Sequence, residues 1–268
     1  MNYLVNIMIV GDSTSGHELL DKIATSAPSV KLAFISKTFK STTTHDYSNV
    51  KYFKDEVVHV GYRQRLFYCY LKNGDIICST KLIIASGVAY EPFLLNNEQV
   101  PGVFNSIDDI HKTAKDLPAI VVYNQESDIK FALDVAKKYK QVYLCTKELD
   151  LVKSVSAATA KKLAKVDNIA VLPNTTIHSV NTTNGILSKV TLDNYSEINC
   201  SAIYIKTASS PAIEFVPKKI VDREAGYPIV TDICESTLVP GCFVVGSCIK
   251  KYTKTMEQNI IEAVLKDS

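Results

Sequence analysis

The sequence has 268 residues, 46% hydrophobic and 22% charged, which is the composition of a globular chain and not of a disordered tail. Thirty Lys and Arg stand against 28 Asp and Glu, so no global field points to nucleic acid or to a membrane surface. No apolar run is long enough to cross a bilayer, and with the first strand starting almost at Met1 no leader pattern is expected.

The seven cysteines (Cys69, Cys78, Cys145, Cys200, Cys234, Cys242 and Cys248) are scattered, and no Cys-x-x-Cys occurs. Several sit in apolar runs, where Cys packs as a small hydrophobe, and a reducing, cytoplasmic location is expected. The five His lack the close pairs that zinc requires. Lysine pairs such as Lys137-Lys138 read as solvated helix faces.

In chain order, Val5 to Val10 reads as a strand, then Gly11-Asp12-Ser13-Thr14-Ser15-Gly16 opens a helix through Ala24, and Val30 to Ile35 forms a second strand. Val57 to Val60, Leu66 to Leu71 and Ile76 to Cys78 read as a meander with an Asn73-Gly74 turn. It leads into Leu82-Ile83-Ile84-Ala85-Ser86-Gly87. The same succession then recurs. Ala119 to Tyr123 is a strand, Asp128 to Lys140 a helix with Ile129, Ala132, Leu133, Ala136 and Tyr139 on one face, and Val142 to Cys145 a strand. A second meander (Thr176 to Val180, Ile186 to Leu192, Ile198 to Cys200) leads into Ile203 to Ala208.

This duplication predicts an α/β fold of two Rossmann-like domains with parallel sheets, right-handed crossovers and β-meander layers. The segment Ser236 to Gly246 and an amphipathic helix from Thr255 have no counterpart after the second repeat, so they are expected to complete the first domain. The boundaries expected are 1–103 with 217–268 for the first domain and 104–216 for an inserted second, with crossings near Pro101-Gly102 and Pro211 to Pro217.

Taken together, these residues resemble the pyridine nucleotide-disulfide oxidoreductases, flavoproteins with two dinucleotide-binding domains, in their thioredoxin reductase-like branch. Ile84-Ala85-Ser86-Gly87 is similar to that family's Ala-Thr-Gly strand end, Val100-Pro101-Gly102 to its Ile-Pro-Gly crossing, and Ser236 to Gly246 to its C-terminal Pro-Gly-x-Phe-Ala-Ala-Gly-Asp pattern. The resemblance implies FAD in the first domain, near Gly11, Ser13, Thr14, Ser15, Gly16, Ser36, Lys37, Ala85, Ser86, Gly87, Gly246 and Ser247.

The departures are many. Ser13 replaces the glycine that lets a backbone approach a pyrophosphate, although its hydroxyl is a possible donor. Ser36-Lys37 stands where the family has a ribose-binding acid, and Ser247 where it has the ribityl Asp. The wall around the flavin is shortened to a run through Thr42-Thr43-Thr44. In the second domain Tyr123-Asn124-Gln125-Glu126 replaces the glycine-rich loop, Glu126 is expected to repel phosphate, and NADPH is not expected to bind. Phe104 to Asp109 occupies the place of the redox dithiol.

Among the thiols, Cys248 is the outside candidate for catalysis, near a helix N-terminus that would lower its pKa. Cys242 reads as packing, and His17 as a surface residue or a phosphate contact. Three functions stay open at this point: a flavoprotein passing electrons to an unidentified protein partner, a pseudo-reductase serving as a binding or oligomerisation scaffold, and a site for another nucleotide or small anion held by Ser13, Thr14 and Ser15. A homodimer is the expected assembly.

Overall fold

The structure is a computed structural model, and it describes residues 2–38, 46–105 and 116–266. The expectations for Thr42 to Thr44 and for Ser106 to Asp109 fall outside those residues. The chain divides into two compact units, residues 1–89 with 209–268, and residues 90–208. Both divides precede the crossings expected from sequence. For the first divide the cause is visible in the second unit, where Phe93, Leu95, Val100 and Val103 pack on a core with Ile120, Leu187 and Ile203.

The first unit begins with β1 (Asn2–Val10), α1 (Thr14–Ser26) and β2 (Leu32–Ser36). It continues through β3 (Val50–Lys54), β4 (Val57–Arg63), β5 (Leu66–Leu71) and β6 (Ile76–Ile84). Its sheet runs β3-β2-β1-β6-β5-β4. β1 is central, with parallel neighbours on both sides, which explains the unbroken apolar run with Ile7, Met8 and Ile9 fully buried.

The meander's last strand and the strand expected at Leu82 to Ile84 are one element, β6. It pairs antiparallel with β5 through Ile76 to Ser79 and parallel with β1 along its length. The meander therefore extends the main sheet here.

Helix α1 starts where Ser13 Oγ accepts from Gly16 N at 3.2 Å, an N-cap that satisfies one orphan donor. Leu19, Leu20, Ile23 and Ala24 face the sheet, and Pro28 follows the C-cap at Ala27. Asn49 closes the other end, its Nδ2 donating to Ala24 O, Ala27 O and Val30 O. His17 is buried with its ring centroid 4.9 Å from that of Phe34 on β2, contrary to the surface position expected.

The chain then runs through β7 (Val88–Tyr90) into the short pieces β8 (Leu94–Leu95), β9 (Glu98–Gln99) and β10 (Val103–Phe104). The second unit's repeat follows: β11 (Ala119–Tyr123), α2 (Ser127–Ala136), β12 (Val142–Thr146), α3 (Leu151–Ser154), α4 (Ala157–Leu163) and β13 (Ile169–Leu172). Its parallel sheet has the order β10-β17-β11-β12-β13, where β17 is Ala202–Ile205. Its meander, β14 (Ile177–Thr183), β15 (Ile186–Leu192) and β16 (Glu197–Asn199), stands apart as a three-stranded sheet.

Helix α2 stops at Ala136, short of the Lys140 expected, because the Lys138 and Tyr139 amides both turn back to Val135 O. Tyr139 remains buried, so the apolar face read from sequence is real beyond the helix end. Asn168 repeats the role of Asn49, with Nδ2 2.9 Å from both Ala136 O and Tyr139 O.

The return segment holds β18 (Ser209–Pro211), β19 (Arg223–Glu224), β20 (Tyr227–Pro228), β21 (Cys242–Val244) and α5 (Lys254–Leu265). β21 pairs parallel with β6, and α5 packs on the first unit through Ile260, Ile261 and Val264. Lys22 Nζ on α1 reaches the buried Glu257 Oε2 on α5 at 2.8 Å. Among the described residues no helix is long and apolar enough to cross a membrane.

Candidate functional site

The β1–α1 turn is held tightly. Gly11 has φ +103°, its amide donates to Ile35 O at 2.8 Å, and a Cβ placed on it would fall 2.5 Å from Ala85 O and from Ser86 N and Cα. Gly16 approaches Ala85 as closely as helix and strand allow, since its Cβ would lie 2.9 Å from Ala85 Cβ. Only glycine fits at either place. Gly11 and Gly16 thus hold the tight turn and the close contact of α1 with the Ala85–Ser86 backbone and side chain.

The middle of the turn is different. Ser13 spends its hydroxyl on Gly16 N, and Ser15 faces Gly246, where an added Cβ would lie 3.0 Å from Ser15 Oγ and 3.7 Å from Ser13 Oγ. Gly87 faces Ser247 in the same way, at 3.6 Å from its Oγ. The structure therefore brings Ser13, Ser15, Gly87, Gly246 and Ser247 together, and side-chain hydroxyls fill the space between the turns. Thr14 begins α1, whose first amides have no partner within the helix.

Ser36 and Lys37 stand apart from that cluster, at the end of β2. Ser36 Oγ donates to Thr38 O at 2.8 Å, and Lys37 Nζ lies 2.6 Å from Glu56 Oε1. The Lys37 ammonium holds the Glu56 carboxyl below its ordinary range. Both line a cleft of about 660 Å³, together with Val10, Gly11, Asp12, Val57, Val58, Ser86 and the segment around Ala212, Glu214 and Phe215. Arg223 fixes that last wall by donating from Nη2 to Ile213 O and Val216 O. Sequence reasoning missed Glu56, Val58 and the 212–215 wall, because they reach the cleft only through sheet pairing and a return of the chain from a distant segment.

Cys248 does not behave as expected. It closes a single 3-10 turn, Gly246–Cys248, and α5 begins only at Lys254. The thiol is fully buried and donates to Gly87 O at 3.1 Å, with Ser86 Oγ 3.6 Å away, and burial pushes its pKa up. It is a packing thiol that ties two loops. The same burial raises Cys145 and Cys200 to about 12 and Cys234 to about 11. Cys78 alone among the seven is partly exposed.

In the second unit the turn after β11 has an occupant. The Asp128 Oδ2 atom accepts from Asn124 N at 2.9 Å and from Gln125 N at 3.0 Å. Asp128 is 1% exposed, and Lys206 Nζ lies 3.8 Å from its other oxygen. Glu126 is not aimed at the turn, as the sequence reading had it. Its Oε1 accepts from Ser156 N, Ser156 Oγ and Thr159 Oγ1, bracing the Ser156 N-cap of α4, and these bonds lower its pKa. A second cleft of about 400 Å³ lies beside the turn, between Leu94, Val122, Tyr123, Asn124, Lys147, Thr176 and Ile205. Among the described residues no group of His, Cys, Asp and Glu could hold a metal ion.

The family described as pyridine nucleotide-disulphide oxidoreductase matches residues 36–246. Among solved structures, the fold is similar to thioredoxin reductase from T. acidophilum (TM-score 0.72, 15% identity, 98% of each chain covered). It is also similar to the Lactococcus lactis thioredoxin reductase in its FR conformation (TM-score 0.69, 16% identity, 98% of this chain and 99% of that one). The Streptococcus pyogenes thioredoxin reductase matches over the whole of both chains at TM-score 0.58 and 14% identity. At such identities the likeness is one of fold. No curated protein matches the sequence.

Proposed function

The chain belongs to the pyridine nucleotide-disulphide oxidoreductase family, and we propose that within it this protein is a ligand-binding scaffold that does not carry out NADPH-driven disulfide reduction. One observation carries the reading: the Asp128 carboxylate already sits on the Asn124 and Gln125 amides. Those are the donors that a strand-to-helix turn offers to a pyrophosphate. An incoming diphosphate must displace a buried anion and then face its charge. The residues present do not fit NADPH.

Two further features support it. The sequence has no Cys-x-x-Cys, and burial disfavours the thiolate at all seven cysteines. In the first unit the Ser13 and Ser15 hydroxyls stand in the gap that an extended FAD diphosphate needs beside Gly246. The test is aerobic NADPH oxidation with a dye or a disulfide as acceptor. The reading expects no turnover above the buffer rate, and sustained protein-dependent oxidation overturns it.

A second reading has its own support. Gly11 and Gly16 keep the tight turn and close packing of a dinucleotide site, which favours FAD held in an altered pose. The visible absorption of the purified protein, before and after incubation with FAD, distinguishes the two.

A further inference from the structure

Two Asn-Gly pairs stand in this chain, Asn73-Gly74 and Asn184-Gly185, both at exposed hairpin turns. In such a pair the glycine amide readily attacks the preceding side chain, because glycine has no Cβ to shield its nitrogen or restrict its rotation. The two turns hold the same pair in opposite ways.

Asn73-Gly74 joins β5 to β6 and is tied at the groups the reaction needs. The carboxamide is held at both ends, with Oδ1 accepting from Asp75 N at 2.8 Å and Nδ2 donating to Asp75 Oδ2 at 3.2 Å. The Asn73 amide donates to Asp55 Oδ2 at 3.1 Å, and the nucleophile itself, Gly74 N, donates to Leu71 O at 3.0 Å.

Asn184-Gly185 joins β14 to β15 as a two-residue turn between the paired Thr183 and Ile186. Both turn residues have positive φ, +54° and +76°, the type I′ pattern. Among the described residues, neither the Asn184 side chain nor Gly185 N has a hydrogen-bond partner. Nothing lies within 4 Å of a Cβ placed on Gly185, so the turn is open to water. The strand before it is already irregular, with a register shift between Asn181 and Thr182.

The chemistry needs water alone as co-reactant. Gly185 N attacks Asn184 Cγ and loses its proton to solvent, and the bond from Cγ to the carboxamide nitrogen breaks with release of ammonia. Water then opens the cyclic imide. Cleavage of the new bond from Cγ to Gly185 N gives aspartate. Cleavage of the old peptide bond gives isoaspartate, whose main chain runs through Cβ and Cγ and is one methylene longer. In either turn the asparagine must first rotate about its Cα–C bond to bring Cγ over the next amide. At Asn73 that rotation gives up bonds on both sides of the peptide, and at Asn184 it disturbs the closing pair alone.

We propose that Asn184 is a modification site of this protein, deamidating to isoaspartate in the native chain, and that the β5–β6 turn protects Asn73 from the same reaction. The consequence is local. The added methylene disturbs the Thr183–Ile186 pair at the tip of the hairpin, while Leu187, Val190 and Leu192 stay seated in the core beneath.

Ageing the full chain in mildly alkaline buffer, in native form and unfolded in urea, tests this. Peptide mapping by mass spectrometry reads the amide-to-acid conversion at each pair, and chromatography separates aspartyl from isoaspartyl peptides. In the native chain Asn184 is expected to convert at least about tenfold faster than Asn73, the factor that one lost hydrogen bond to a charged group imposes on the reactive excursion. In urea the two rates are expected to converge. Gly185→Ala is expected to slow conversion at Asn184 and leave Asn73 unchanged. If that variant does not fold, the native and urea rates of the wild-type chain answer the same question. Asn73 converting as fast as Asn184 in the native chain overturns the proposal, as does an unreactive Asn184 or a ratio in urea equal to the native one.

Discussion

Asp128 Oδ2 lies 2.9 Å from the amide nitrogen of Asn124, so a side chain of the second unit's own helix occupies the amides of the turn between β11 and α2. A hydrogen bond to a charged group contributes about 1.5–3 kcal/mol, and a buried donor left bare costs about 1–3 kcal/mol. Asp128→Ala exposes two such donors and the Lys206 ammonium, and a loss of about 3 kcal/mol in urea unfolding is expected. Asp128→Asn keeps one acceptor oxygen and should lose roughly half as much. Equal stability of the alanine variant and the wild type would contradict the assignment.

Gly11 and Gly74 provide a matched pair. Both have positive φ, at +103° and +91°, but a Cβ on Gly11 strikes the Ala85–Ser86 backbone whereas nothing lies within 4 Å of one on Gly74. Gly74→Ala should therefore cost only the conformational term, about 1–2 kcal/mol. Gly11→Ala adds overpacking of about 1–3 kcal/mol and should exceed the Gly74 value by that amount. Chemical denaturation of both variants reads the difference.

Thiol accessibility tests the reading of Cys248. Six cysteines are buried and Cys78 is partly exposed. Native protein treated with an aromatic disulfide reagent should label Cys78 first, with the others reacting only on unfolding. Rapid labelling of Cys248, located by peptide mapping, would restore it as a reactive residue.

Glu126 gives a pH signature. Its carboxylate is held below the ordinary value of 4.5 by hydrogen bonds from Ser156 and Thr159. The folded-state pKa is lowered, so the stabilisation is present above the unfolded value and is lost as pH falls through the lower folded one. Between about pH 7 and about pH 3, Glu126→Gln should show a shallower acid loss of stability than the wild type. Parallel curves would show that the cap carries no such dependence.

Much of the fold was legible because the pattern was local. The run Val5 to Val10, the Gly11–Gly16 turn and the stripe on α1 follow from apolar periodicity and glycine spacing. The third parallel strands, β3 and β13, were not read. β3 is half-exposed and carries Lys51 and Lys54, so its strand character comes from pairing with β2 and not from alternation. The Asn49 and Asn168 caps that precede these strands extend the internal repeat, but an isolated Asn gives no such signal in sequence. β6 was read as two strands because Ser79-Thr80-Lys81 looks like a break, although pairing with β1 carries the strand across it.

The candidate site divides in the same way. The spacing of Gly11 and Gly16 marks the first turn in the sequence, while Asp128 stands in the first turn of a helix, where an acidic residue is common and gives no signal of its own. Glu56 sits beyond β3, far from Lys37 in sequence, and only the parallel pairing of β2 with β3 sets them side by side.

The most direct measurement is titration of the purified chain with NADPH, followed by the nucleotide's fluorescence up to ~1 mM, where even weak specific binding registers. With Asp128 seated on the Asn124 and Gln125 amides, the signal should stay linear, with no saturable component. A saturable curve in the micromolar range, lost on competition with NADP⁺, would mean that the turn opens to a dinucleotide after all.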